Sequence, residues 1–111
     1  MTDNLFAKLT TLPTNGEIFT TLLQRPGLRI ERIVSTGQCS PPGFWYDQAE
    51  GEWVLLLAGE ARLRFADEST DRRLQPGDWV DIAPHRKHRV EWTSTAPAAV
   101  WLAVHYLATD A

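Results

Sequence analysis

The stretch Glu52-Trp-Val-Leu-Leu-Leu-Ala-Gly-Glu60 decides the reading of this chain. Six apolar residues follow Glu52, too few for a stable isolated helix and right for a strand apolar on both faces. Gly59-Glu60 then forms a two-residue hairpin connection, because glycine supplies the positive φ that such a turn requires. The strand returns as Ala61–Ala66, in which Leu63 and Phe65 alternate with Arg62 and Arg64. That alternation puts Leu63 and Phe65 toward a core and the arginines toward water.

Outward from this hairpin, Gly and Pro punctuate the chain at short intervals. Apolar runs of about five to eight residues lie between them, which favours an all-β sandwich or barrel over helices. The spacing predicts strands over Glu17–Leu23, Leu28–Ser35, Phe44–Asp47, Glu52–Ala58, Ala61–Ala66, Arg72–Gln75, Trp79–Ile82, His88–Thr93 and Ala99–Leu107. Eight or nine strands and little helix result. Arg72–Gln75 is short enough for an edge. Pro76-Gly77-Asp78 is a tight turn, with Pro fixing φ and Gly permitting a positive one. Leu28–Ser35 is mixed on both faces, so its inward face stays open. Asn4–Leu9 reads as a short helix or an extended arm, broken by Pro13 and Gly16.

The chain has 111 residues, so one domain is expected over 1–111, with its core over about 17–107. A hydrophobic fraction of 43% and a charged fraction of 23% are ordinary globular values. The formal charge of −3 disfavours a nucleic-acid partner. Apolar runs such as Val54–Ala58 are far too short for a membrane helix. The first residues carry no basic or apolar leader pattern. The single cysteine, Cys39, allows no internal disulfide and no cysteine-rich zinc site. A reducing cytoplasm is the expected setting. No Gly-x-Ser-x-Gly, phosphate loop or dinucleotide fingerprint is visible.

Two stretches resemble the paired motifs of the cupin superfamily. Glu52, six residues and Gly59 match the second half of the first motif. Pro76-Gly77-Asp78 opens the second, and His88 stands at its histidine position. Ala83 falls where that motif has Pro, and His85 where it has Gly; Pro84 comes one residue late. The resemblance spans roughly Gly37 to Trp92. It implies a jelly-roll barrel, the double-stranded β-helix. It also implies a divalent metal such as Zn, Fe, Mn or Ni, held by Glu52 and His88. The His-x-His of the first motif is absent. A three-residue gap before Glu52 places Tyr46 and Gln48 there; a four-residue gap places Trp45 and Asp47. Asp47 or Gln48 is then the third ligand, with Asp47 the better donor because it carries charge.

The remaining candidates surround this pair. Trp101, Ala103 and His105 share a strand face, making His105 a possible fourth inward group. If His88 points inward, strict alternation turns Val90 and Trp92 inward too. Trp92, Tyr46 or Trp45, and Phe44 then line a small-molecule pocket. His85, beside Arg86 and Lys87, reads as a solvated loop or as a rim for an anionic ligand. Glu52 has a bland alternative, an ion pair with Arg32 or another arginine. Outward-facing Trp53, Leu55 and Leu57 form an apolar row that suggests a homodimer. Three functions follow: a metal-dependent enzyme, a metal-free binding module, or a protein whose role is its dimer face.

Overall fold

The computed structural model describes residues 2–7, 9 and 16–107. The break expected at Pro13 lies outside them. Among the described residues there are eight strands: β1 (Ile18–Arg25), β2 (Leu28–Ser35), β3 (Gly51–Ala58), β4 (Ala61–Phe65), β5 (Arg72–Leu74), β6 (Trp79–Ile82), β7 (His88–Thr93) and β8 (Ala99–Tyr106). They form a five-stranded sheet in the order β1-β2-β8-β3-β6 and a three-stranded sheet in the order β5-β4-β7. Every pairing is antiparallel. β5 is an edge strand three residues long.

Two expectations change. Phe44–Asp47 is not a strand; Tyr46 alone forms a bridge, to His88. Pro41-Pro42 just before it removes two backbone donors, and a ladder cannot propagate through them. Near the N-terminus Leu5–Ala7 is a turn, closed by the Ala7 amide on the Asn4 carbonyl.

The core lies between the sheets. Val54 and Leu56 of β3, Leu63 and Phe65 of β4, and Ile82 of β6 meet Trp101 and Ala103 of β8 there. Phe65 and Leu56 are fully buried. The β3–β4 hairpin depends on Gly59, at φ +76°. A Cβ at that position would lie 2.5 Å from the Ala98 carbonyl oxygen, so the turn needs a residue without one.

The open question of β2 is resolved by its register. Arg29 pairs with His105 and Ile33 with Trp101, so Arg29, Glu31, Ile33 and Ser35 face the interior. The opposite face carries Arg32, whose guanidinium donates to the Leu5 and Ala7 carbonyls. The N-terminal turn thus caps that face, and Arg32 is occupied far from Glu52. The alternative pairing of Glu52 with Arg32 is not formed.

Period two fails once in β7. Leu63 pairs with Val90 but Arg62 with Trp92, leaving Glu91 as an extra residue. This β-bulge turns the strand. His88 stays inward, while Trp92 joins Arg62 on the outside, the guanidinium 5.7 Å from the indole centroid.

Candidate functional site

The barrel holds a partly open cavity of about 250 Å³. Its wall includes Glu52 and Val54 from β3, His88 and Val90 from β7, and Trp101 and His105 from β8. β1 and β2 add Phe19, Arg29, Glu31 and Ile33, with Glu17 just before β1. Tyr46 and Gln48 enter from the loop before β3.

Backbone hydrogen bonds fix how that loop enters. Tyr46 and His88 exchange both their amide–carbonyl bonds, at 2.7 and 3.1 Å. The His85 amide donates to the Gln48 carbonyl at 2.7 Å. Tyr46 and Gln48 therefore line the cavity, and Asp47 between them points out. Asp47 is exposed and its carboxylate meets His85 Nδ1 at 2.8 Å. The three-residue gap is the one that places side chains in the cavity, so its Gln48 lies on the wall and Asp47, the stronger donor, does not. His85 stands outside, at φ +63°, and Arg86 is engaged by Asp67 and Glu68. Trp92 is exposed and outside the cavity because of the bulge, and Phe44 is exposed too. Trp45 packs near the Arg89 guanidinium instead.

His88 and Glu52 are both buried, with Nε2 3.5 Å from Oε1. His88 Nδ1 lies 2.9 Å from the Arg86 carbonyl, which only accepts, so Nδ1 carries a hydrogen and donates it. Nε2 is then the nitrogen presented to Glu52. The two side chains are thus poised to share a proton at the cavity wall, Nε2 facing Oε1. Tyr46 stacks on the imidazole, ring centroids 5.4 Å apart. Phe65 backs it from the core at 6.2 Å.

A second pair faces the same space. His105 Nε2 donates to Glu31 Oε1 at 2.9 Å, and Arg29 lies 3.6 Å from Glu31. His105 Nδ1 and Gln48 Oε1 are buried without a hydrogen-bond partner. Sequence reasoning missed Glu17, Phe19, Arg29 and Glu31. The mixed faces of β2 were the available signal, since a polar inward face belongs to a cavity rather than to a packed core.

Burial pushes the Tyr46 phenol above its ordinary value of 10.0, and the Glu17 and Glu52 carboxylates add to the shift. The hydrogen bond to Asp81 pushes Tyr106 up as well, with burial and the Asp81 charge contributing. These are the two tyrosines of the chain, so an absorbance titration reads both. Less than half of the phenol is expected to ionise by pH 10.0 in the folded protein. Because the folded values are raised, this stabilisation is complete below pH 10.0 and is lost as pH rises through the folded values. Half-ionisation at or below pH 10.0 would contradict the buried, acid-flanked placement of Tyr46.

The resemblance implies a divalent metal, and the cavity's donors test it. Glu52 and His88 are strong donors. Gln48 offers a neutral oxygen, and the raised Tyr46 phenol resists becoming a phenolate. Among the described residues no group of three His, Cys, Asp or Glu side chains is placed to hold a metal ion. The donor set does not fit a tightly held resident metal, which takes three or four strong protein ligands.

Two antiparallel sheets closed around an inward Glu–His pair define a double-stranded β-helix barrel. The cupin domain model matches residues 32–105, and the chain belongs to that family. A Ralstonia eutropha JMP134 protein, provisionally named a mannose-6-phosphate isomerase, is 46% identical, with 97% of this chain and 99% of that one covered at a TM-score of 0.89. A cupin superfamily protein from Desulfitobacterium hafniense is 18% identical over 95% of this chain and 90% of its own, TM-score 0.76. An RmlC-like cupin from Shewanella frigidimarina is 17% identical over 86% and 79%, TM-score 0.69. The last two speak to the fold alone. Among curated proteins none matches.

Proposed function

We propose that this cupin binds a small organic molecule in the barrel cavity and moves a proton on it through Glu52 and His88, without a resident metal. The observation that carries this reading is the 3.5 Å approach of Glu52 to His88 on the cavity wall. One member holds the proton and the other receives it, the arrangement general acid–base catalysis needs. The Arg86 carbonyl fixes the imidazole, so the pair is oriented before a ligand arrives. The name of the Ralstonia relative agrees in reaction type, since isomerisation of a hydroxy-carbonyl compound shifts a proton between neighbouring carbons. The cavity volume of about 250 Å³ lies just below the ~300–1,000 Å³ typical of ligand sites, which suits a small substrate.

The test uses small hydroxyaldehydes and hydroxyketones in deuterium oxide, followed by NMR. Deuterium is expected next to the carbonyl with the wild-type protein and not with Glu52→Gln. Metal content is measured alongside, on untagged protein purified without chelator. No exchange above the buffer blank from folded protein would overturn the reading. A near-stoichiometric metal in the wild type that falls in His88→Ala would overturn the metal-free part of the reading.

The outer face of the five-stranded sheet supports a homodimer. Trp53, Leu55 and Leu57 of β3 are half-buried, and Trp79 of β6 is 60% exposed, its ring 5.8 Å from that of Trp53. Leu102 and Val104 of β8 continue the patch through their pairing with Leu55 and Trp53. A contiguous apolar patch of this kind fits a partner surface. Light scattering after size exclusion is expected to give a dimer for the wild type and a monomer for Trp79→Asp. A wild-type monomer at micromolar concentration would sink the proposal. The exposed thiol of Cys39 agrees with the reducing, cytoplasmic setting we propose. No helix among the described residues is long and apolar enough to cross a membrane.

A further inference from the structure

Resting on the reading of the cavity as a ligand site, we infer that its occupant is a small hydrogen-bond donor, an uncharged polyol or an amino compound, and not a phosphate ester. Three carboxylates line the cavity, Glu17, Glu31 and Glu52. Arg29 is the one fixed cation on its wall, and Glu31 and Glu50 already engage it at 3.6 and 3.5 Å. The unpartnered Gln48 Oε1 is an acceptor in search of a donor. His105 Nδ1 is likewise buried without a hydrogen-bond partner. Buried acceptors left empty are costly, and a ligand rich in O–H or N–H groups relieves that cost.

A phosphate monoester brings acceptors and negative charge to the same walls. It meets carboxylates at close range in surroundings that screen poorly. Two basic residues outside the cavity are already engaged. Arg86 is held by Asp67 and Glu68, and His85 by Asp47. Among the described residues no helix start offers a free cluster of donors, the usual cradle for a phosphate. The phosphorylated sugar in the Ralstonia protein's name therefore does not transfer to this cavity.

The three histidines provide the probe. His88 and His105 line the cavity, and exposed His85 serves as an internal control. Imidazole NMR signals are followed while D-mannose, D-glucosamine and D-mannose 6-phosphate are added separately. D-mannose or D-glucosamine is expected to shift His88 and His105 and leave His85 unchanged. D-mannose 6-phosphate is expected to bind at least about tenfold more weakly, the scale of one like-charge encounter in such surroundings. Glu31→Gln should narrow that gap, and Glu17→Gln provides the same check if the first variant folds poorly. Equal or tighter binding of the phosphate ester would overturn the inference while leaving the proton-transfer reading intact. So would the absence of any shift with all three sugars. The deuterium exchange experiment decides that parent reading independently.

Discussion

Phe65→Ala is expected to cost about 3–5 kcal/mol of folding stability, measured by equilibrium urea unfolding. Phe65 is fully buried at the end of β4, so its removal leaves a cavity that neighbouring side chains fill only in part. The Arg86 guanidinium lies 3.8 Å from its ring centroid and that of Arg72 4.7 Å, so the same change removes two cation–π contacts. Domains of this kind have only about 5–15 kcal/mol in total, so the variant sits near the edge of folding. Phe65→Leu keeps most of the volume and is expected to cost clearly less. A loss below about 1 kcal/mol for Phe65→Ala would mean that the core collapses onto the gap, contrary to its packing here. The ring also supports His88, so a loosened core reaches the site.

His88→Ala carries the second large effect. On the proposed reaction it is expected to lower turnover by about 10²–10⁴-fold, the usual weight of a positioned acid or base. It also has a signature that needs no substrate. Glu52 is left buried without its partner, at a cost of about 1–3 kcal/mol. Glu52→Gln made in the His88→Ala background should recover part of that loss. The double-mutant cycle is expected to give a coupling of about 0.5–3 kcal/mol, as for residues in contact. Strict additivity would show that the two side chains act separately, and the proton-transfer reading would fall with it.

Much of the frame was legible from local chemistry. Glu52–Ala58, the Gly59 turn and the Pro76-Gly77 turn are set by residues next to one another in the chain, and they stand where expected. Leu63 and Phe65 face the core as alternation required. The interior of the barrel was less legible, because it is set by partners far apart. Which of Asp47 and Gln48 enters depends on hydrogen bonds from residues 85 and 88. Glu31 faces inward because β8 lies beside β2 in one register, and nothing within Leu28–Ser35 states that. Trp92 was misplaced because a one-residue bulge inverts a strand's faces without any mark in composition.

That bulge divides β7 into two zones with different freedom to change. Before Glu91, a new side chain at 88 or 90 alters the cavity directly. After it, position 92 belongs to the outer surface, beside Arg62. A library randomised at Trp92 should therefore yield folded variants with unchanged ligand preference, whereas one at Val90 should redistribute it. A designer, or natural drift, can remodel the exterior of this strand and leave its chemistry alone.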